Sequence, residues 1–359
     1  MSKKKEATAE AIEEFEDLSS VLAGKDSPIP LSIVRNTYDP FKGIPTGSIG
    51  LDWALGGKGL PRGQVTLFDG QAGSGKTTLG RVIGVNCVYS GLKTVVIDAE
   101  FRWNVETAFK SGMGLPGKDY VLIQPTSQED AMTVIQYICK RNRTVPPDQK
   151  IDYIFLDSLA ALVPEVEDNG DMRDQNMGVK ARNFSKFFRK GMKDVALSDI
   201  AVLFINQLRD NIGPYGGTAR PGGKSLEFSP SILAEISKPT AEDWFYATDA
   251  DKNAKANPVG LMIRGKTRKN SIGPDRRLIQ VPVSFQPRLA VDRAAEIVDY
   301  GKKFRVLTSK DGGPINSGYH YYKGKEIGAS RDKSIAYIEE DVELMEELET
   351  TILHLLAES

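Results

Sequence analysis

Gly70-Gln71-Ala72-Gly73-Ser74-Gly75-Lys76-Thr77 fits the pattern G-x-x-x-x-G-K-[ST], and its flanks decide how it is read. Before it, Gln64-Val65-Thr66-Leu67-Phe68 is a strand-like run; after it, apolar residues recur at helical spacing over 79–88. A glycine-rich turn between strand and helix lets successive backbone N–H groups point inward at a phosphate chain, with the positive end of the helix behind them. Lys76 then reaches the outer phosphates and the Thr77 hydroxyl ligates Mg²⁺, so the stretch predicts binding of a nucleoside triphosphate. It also predicts an α/β architecture, because a strand feeding a helix through such a turn belongs to parallel-sheet folds.

Outward from the turn, β-branched and apolar runs at 94–97, 120–123, 153–156 and 201–205 alternate with longer helical patterns. Near-continuous apolar strands separated by helices predict a parallel sheet covered on both faces. From 232 the rhythm changes: the runs 232–236, 259–266 and 277–285 follow one another with turn-like links, predicting antiparallel strands added at one edge. Beyond about Asp299, a polar, Gly-rich segment over 312–328 and a helix over roughly 342–356 predict a small α/β appendage. At the other end, Ile12, Phe15, Leu18 and Leu22 recur at helical spacing, Gly24 supplies a stop, and Pro28, Pro30, Pro40 and Pro45 mark an irregular connector. A helix on such a tether is either an arm that docks elsewhere or a solvated tail. The expected organisation is a helical arm and linker over 1–38, a core over 39–298, and a C-terminal domain over 299–359.

Tyr153-Ile154-Phe155-Leu156-Asp157 ends a strand in a carboxylate, where an acid holds the water shell of Mg²⁺. Thr94-Val95-Val96-Ile97-Asp98-Ala99-Glu100 offers two acids to orient water against the γ-phosphate, and chemistry alone leaves Asp98 and Glu100 evenly matched. Val202-Leu203-Phe204-Ile205-Asn206-Gln207 ends in two amides, either of which can hydrogen-bond a phosphate oxygen or satisfy a turn. Two long segments without apolar periodicity leave these strand ends, at 165–178 and at about 208–224, the second with glycines at 213, 216, 217, 222 and 223. Long loops in compact domains are functional or disordered, and Gly-rich backbone approaches phosphates closely. The helix after the first loop carries Lys180, Arg182, Lys186, Arg189 and Lys190, which is either a polyanion-facing surface or a solvated face.

Composition limits the alternatives. The 359 residues are 40% hydrophobic, enough for one large core with small appendages. Lys and Arg number 47 against 48 Asp and Glu, so no global field draws the chain to polyanions and any such site is local. Two cysteines, Cys87 and Cys139, in apolar helical contexts fit a reducing compartment, and two histidines leave little for His-based catalysis. No apolar run of 18 residues and no signal segment is found, so a soluble, cytoplasmic protein without membrane contact is expected.

Together these residues resemble the bacterial RecA recombinase family, from about Ile44 to the C-terminal helix. Pro45-Thr46-Gly47-Ser48-Ile49-Gly50-Leu51-Asp52-Trp53-Ala54-Leu55-Gly56-Gly57 is similar to the family's segment ahead of the phosphate loop. Ile97-Asp98-Ala99-Glu100 matches I-D-A-E, and Asp157-Ser158-Leu159-Ala160-Ala161-Leu162 resembles D-S-V-A-A-L. Met177-Gly178 with Ala181-Arg182 matches M-G-x-x-A-R, Phe204-Ile205-Asn206-Gln207-Leu208-Arg209 resembles F-I-N-Q-I-R, and Tyr322-Lys323-Gly324-Lys325-Glu326-Ile327-Gly328 resembles Y-K-G-E-K-I-G. The resemblance implies a RecA-like P-loop core and an ATP- and Mg²⁺-dependent ATPase. Its partners would be single-stranded DNA and homologous duplex, bound by a helical homo-oligomer that exchanges strands. By position it implies catalytic roles for Glu100 as the water-orienting base, Lys76, and Gln207 as γ-phosphate sensor. The nucleotide would contact Gly70, Gln71, Ala72, Gly73, Ser74, Gly75, Lys76, Thr77, Thr78 and Asp157, with Lys269 reaching a neighbouring protomer's ATP. Arg182, Ser185, Arg189, Arg209, Gly222 and Gly223 would face DNA, and the N-terminal helix would dock on a neighbour.

Departures from the family fit a divergent, phage-type member. Thr107 stands where the family has an aromatic residue near adenine, and Ala294-Ala295 where a Tyr-Gly pair approaches the base. Ser271 replaces the second of two lysines expected after residue 266, Glu227 stands where Lys is usual, and no long acidic tail follows Ser359. Two other classes compete: a RecA-like regulatory ATPase that binds ATP and partner proteins without exchanging strands, and a hexameric helicase, which needs an arginine finger and translocating loops. Glu100, Gln207 and both long loops favour the recombinase.

Overall fold

The parallel strands of the sheet all finish on one side, and that shared edge is where the chemistry expected from the sequence gathers. The computed structural model describes residues 43–168, 178–210, 218–219, 221–285 and 289–358. The expected arm over 1–38 and most of the first loop, 169–177, lie outside them, as do 211–217 and 220 of the second. Strands β1 (Gln64–Gly70), β2 (Thr94–Asp98), β3 (Tyr120–Ile123), β4 (Tyr153–Asp157), β5 (Ala201–Gln207) and β6 (Ile232–Ile236) run parallel in the order β6-β1-β5-β4-β2-β3. Beyond β6, the sheet continues antiparallel through β8 (Pro258–Asn270), β9 (Leu278–Ser284) and β10 (Ala290–Val291), while β7 (Trp244–Tyr246) pairs with β8.

One strand departs from expectation. Residues 232–236 are not part of the antiparallel addition on both sides: Ile232 to Glu235 pair in parallel with Thr66 to Asp69, and only the β8 edge is antiparallel. The chain leaving β5 passes β1 to reach β6, a crossover for which the residues between Gln207 and Ile232 are ample. Among the described residues of that connection no long helix announces the crossover, which hid the parallel pairing from the sequence.

Alternation along the strands explains how both faces are covered. Phe68, Val96, Tyr153, Phe155, Leu203 and Ile205 point to one face, where they meet Leu79, Val82 and Ile83. Their neighbours Leu67, Val95, Ile97, Ile154, Leu156, Val202 and Phe204 point to the other. Helix α1 (Ile49–Leu55) and α2 (Lys76–Tyr89) lie on the first side, with α3 (Val105–Lys110) beyond β2. On the second side α4 (Gln128–Asn142) contributes Ala131, Met132 and Ile135, and α5 (Val179–Ser198) contributes Phe184, Phe187 and Phe188. Short polar caps start these helices: Ser127 accepts from Asp130 N at 3.0 Å, and Ser48 from Leu51 N at 3.0 Å. Among the described residues no helix is long and apolar enough to cross a membrane, and Cys87 and Cys139 are buried free thiols.

The C-terminal segment has its own apolar cluster. Helix α6 (Arg293–Lys303), the hairpin β11 (His320–Tyr322) and β12 (Lys325–Gly328), α7 (Arg331–Glu340) and α8 (Val342–Glu358) enclose Ile297, Val298, Tyr322, Ile327, Ile338, Leu348 and Ile352. Ile49 of α1 joins this cluster. A buried carboxylate reinforces the contact: Glu296 accepts from Ser48 Oγ at 2.5 Å, Ile49 N at 2.7 Å and Gly50 N at 3.3 Å. Burial pushes the Glu296 carboxyl up to about 8, against the pull of these three donors.

Where α2 crosses the sheet it does so at close range. A Cβ on Gly80 would lie 2.2 Å from Cε2 and 2.3 Å from Cζ of Phe155, a ring that is itself fully buried. Gly80→Ala gains about 1 kcal/mol of helix propensity, yet overpacking of this kind costs about 1–3 kcal/mol. Chemical denaturation should therefore show a net loss of stability. A variant as stable as the parent would show that α2 can move off the sheet at no cost.

Candidate functional site

β1 brings Gly70 to the shared edge, and α2 begins at Lys76 after a turn over 71–75. Gly75, the residue before the helix, has φ 93° and offers no side-chain cap, so the first amides of α2 have no side-chain acceptor. A Cβ there would also meet Ile263 Cδ1 at 2.9 Å. Ala72 and Gly73 form an exposed crest, while Ser74 is buried beneath it.

Under that crest the Lys76 ammonium, 6% exposed, donates to Gly70 O at 2.9 Å, Gln71 O at 2.7 Å and Ser74 Oγ at 3.0 Å. Burial lowers its pKa, opposed by the charges of Asp157, Asp69 and Glu100. Asp157 lies within hydrogen-bond reach of the Thr77 side chain. Burial pushes its carboxyl up to about 6, the Thr77 bond and Lys76 oppose the rise, and Glu100 and Asp98 add to it. The structure thus gathers Lys76, Thr77, Asp157 and Glu100 at the mouth of the phosphate loop. Among the described residues no group of three or more His, Cys, Asp and Glu is arranged to hold a metal by itself. A hydroxyl and one carboxylate beside a phosphate cradle suit Mg²⁺, a cation that takes few protein ligands and completes its shell with phosphate oxygens and water.

The two acids after β2 separate cleanly. Asp98 is 3% exposed and accepts from Arg102 N at 3.3 Å, Trp103 N at 2.9 Å and Gln124 Nε2 at 2.9 Å, so its oxygens shape the turn that follows. Glu100 is more open: Oε1 accepts from Ser158 Oγ at 2.8 Å, and Arg102 approaches Oε2 at 3.5 Å from a largely solvated position.

Gln207 pairs in register with Gly70, which puts the end of β5 directly beside the start of the phosphate loop. The next amide, Leu208 N, donates to Gly70 O at 3.0 Å, the same carbonyl that receives Lys76. Asn206, only weakly marked in the sequence, binds both ends of the neighbouring segment: its Nδ2 donates to Asp69 Oδ1 at 3.1 Å and to Pro221 O at 3.4 Å. Its fully buried side chain is the signal, visible only once the strands are in register.

Past Pro221 the chain lies on α5. A Cβ on Gly222 would meet Leu226 Cδ1 at 2.4 Å and the Phe184 ring at 3.0 Å, and one on Gly223 would meet Ala181 Cβ at 2.8 Å. Both glycines have positive φ, 103° and 82°. The glycine pair is thereby brought against the first two turns of α5, whose exposed side carries Arg182, Ser185 and Arg189. Ser185 Oγ donates to Ala181 O at 2.9 Å, and Lys180 turns inward to Ala160 O at 2.7 Å. Arg209 lies on a short backbone ladder in which it pairs with Ala219.

Lys269 is not brought to the phosphate loop of its own chain. It pairs with Leu233, which pairs with Leu67, so it sits two strands away and three residues back from Gly70. Its amine donates to Phe228 O at 2.5 Å and Pro230 O at 2.7 Å. Ala294 and Ala295 are likewise elsewhere, buried at the start of α6 with Ala294 in the C-terminal cluster. The residues that share a cavity with Thr107 are Thr78, Arg81, Lys110, Ser111, Phe285 and Leu289. The sequence placement of the pair fails because the helical register of α6 commits both alanines to packing.

The family described as the RecA N-terminal domain matches residues 11–287. Protein RecA of Campylobacter jejuni subsp. doylei is 33% identical over 312 residues, covering 86% of this chain and 83% of the relative. Protein RecA of Anaplasma marginale is 32% identical over 332 residues, 92% and 85% of the two chains. Protein RecA of Wolbachia pipientis subsp. Culex pipiens is 33% identical over 325 residues, 90% and 84%. A solved structure described as the RadB recombinase aligns with a TM-score of 0.46 at 18% identity, over 68% of this chain and 97% of that one. With a family match spanning most of the chain and relatives aligned over more than four-fifths of their length, this protein belongs to the RecA family.

Proposed function

We propose that this chain is an ATP-dependent DNA recombinase that assembles as a helical filament on single-stranded DNA, pairs it with homologous duplex and exchanges strands. The observation that carries this reading is the carbonyl of Gly70, which accepts from both Lys76 Nζ and Leu208 N. Any anion that draws Lys76 off that carbonyl alters the root of the Gly-rich segment, so nucleotide state and the DNA-facing surface share an atom.

In the proposed reaction the amides at the head of α2 and the Lys76 ammonium hold the phosphates, with Thr77 and Asp157 holding Mg²⁺. The cation, when bound, neutralises charge on the phosphate oxygens. Glu100, poised by Ser158, takes hydrogen bonds from the attacking water and accepts its proton at a carboxylate oxygen. Gln207 donates its amide to a γ-phosphate oxygen, and Lys269 serves the neighbouring protomer's nucleotide. Arg182, Ser185, Arg189, Arg209 and the Gly222-Gly223 backbone receive DNA phosphates, and the segment 1–38 docks on the adjacent protomer. The C-terminal segment from about 299 adds a small α/β appendage whose apolar cluster also takes in Ile49 of α1.

Lys76→Ala should abolish ATP binding measured by calorimetry, whereas Glu100→Gln should bind ATP normally and hydrolyse it about 10²–10⁴-fold more slowly, the usual contribution of a positioned base. Parental turnover in the Glu100 variant would reassign the base.

Gln207→Ala should bind ATP yet lose most of the ATP-induced gain in affinity for single-stranded DNA, a coupling of about 1–3 kcal/mol. Fluorescence anisotropy at fixed salt measures it, and an unchanged gain refutes the coupling. Replacing Arg182 or Arg189 should weaken DNA binding evenly across sequences and reduce the salt slope by about one phosphate contact.

A further inference from the structure

Both ends of the first loop are tied to the same two residues. The chain enters the loop from β4 through Val163 and the helical turn Glu165–Asp168, and it leaves along α5. Gln128 and Glu129 open α4 and reach both of these stems. Gln128 N donates to Val163 O at 2.7 Å on the entering side, and its Nε2 donates to Lys180 O at 3.1 Å on the leaving side. Glu129 repeats the pattern with one carboxylate: Oε2 accepts from Glu165 N at 3.1 Å and Oε1 from Asn183 Nδ2 at 2.7 Å. Asn183 Nδ2 also donates to Gln128 Oε1 at 3.2 Å.

Acids in the first turn of a helix commonly serve the helix dipole. Glu129 does more, because each of its oxygens is committed to a different segment of chain. A carboxylate that accepts through both oxygens fixes its two donors relative to each other, and bonds to a charged acceptor are the stronger kind. Gln128 is fully buried, so its amide must find partners, and it finds them on the leaving stem. Asn183 follows Arg182 on α5, so the bridge sets where the exposed cationic side of that helix stands relative to the entering stem. The same turn of α4 follows closely on Gln124, whose amide donates to Asp98 Oδ2 at 2.9 Å at the end of β2. The clasp is thereby anchored on the edge that carries the nucleotide-facing groups.

We propose that Gln128 and Glu129 are positioning residues for DNA binding, holding the two stems of the first loop at a fixed separation so that Arg182 and the loop engage one strand together. The inference rests on the reading of α5 and the first loop as a DNA-facing surface. It gives Glu129 a role that its charge opposes. By charge alone, a carboxylate beside a polyanion-binding face weakens binding. By geometry, the same carboxylate strengthens it, because a side chain held in the productive arrangement by its supporting hydrogen bonds contributes more than a loose one.

Charge and geometry therefore predict opposite signs. Fluorescence anisotropy of a fluorescein-labelled oligo(dT) strand, with the full chain, Mg²⁺ and ATP over a range of salt, distinguishes them. Glu129→Ala should weaken DNA binding about tenfold, the scale of one hydrogen bond to a charged group, and reduce the salt slope by about one phosphate contact. Asn183→Asp, which sets two carboxylates against each other, should weaken it similarly. Adding Glu129→Gln to Asn183→Asp should recover most of that loss, since the new amide donates to the new carboxylate while its oxygen still accepts from Glu165 N. ATP affinity measured by calorimetry should stay parental throughout, with thermal melts confirming that each variant folds; if Glu129→Ala does not fold, the two Asn183 variants carry the test. Tighter or unchanged DNA binding in Glu129→Ala would overturn the proposal, as would a swapped pair that recovers nothing. A matching loss of ATP affinity would assign the clasp to the fold of the whole edge and overturn it as well. If Arg182→Ala and Arg189→Ala bind DNA at parental strength, the DNA-facing reading falls and takes this inference with it; if they weaken binding and Glu129→Ala does not, the inference alone falls.

Discussion

A lysine ammonium with almost no contact with water must be given acceptors by the protein, and the site is organised around that requirement. Lys76 finds two loop carbonyls and a hydroxyl, with the charges of Asp157, Asp69 and Glu100 acting on it from the strand ends. On the proposed reading of the site, the loop carbonyls are neutral stand-ins for phosphate oxygens. Exchanging them for phosphate returns three acceptors to the loop, and one of them, Gly70 O, also holds the first amide beyond β5. The parallel sheet makes this arrangement possible, because parallel strands place their carboxyl ends side by side: Gly70 beside Gln207, and Asp98 beside Asp157.

The core of the fold was legible because each parallel strand carries its own apolar signature. Residues 65–68, 94–97 and 153–156 are buried on both faces and read so in the sequence. Strand β6 was legible as a strand but not in direction, since direction depends on the route of the chain and not on its residues. The strand, glycine turn and helix around Gly70 to Lys76 were plain from spacing alone. Choosing between Asp98 and Glu100 was beyond residue chemistry, because the difference lies in which backbone amides fold over which carboxylate.

Other parts were hidden for a related reason. Arg81 looks in sequence like one more polar position of an amphipathic helix, and its stacking on Trp103 depends on how the turn after β2 folds back. Asn206 depends on register between β1 and β5. The basic run on α5 was ambiguous as a list of charges; the structure divides it, turning Lys180 inward and leaving Arg182, Lys186, Arg189 and Lys190 exposed.

The buried carboxylate of Glu296 bears on how the protein can be divided. Three donors at the head of α1 depend on a side chain that arrives nearly 250 residues later in the chain. A recombinant fragment ended at residue 287, where the family match stops, would keep every strand of the parallel sheet yet strand Ser48, Ile49 N and Gly50 N without their acceptor. It would also uncover Ile49 by removing the apolar cluster that packs on it. The useful unit for dissection therefore runs past α6, and a fragment that includes Glu296 but omits the later helices would separate the polar contribution of this joint from the apolar one.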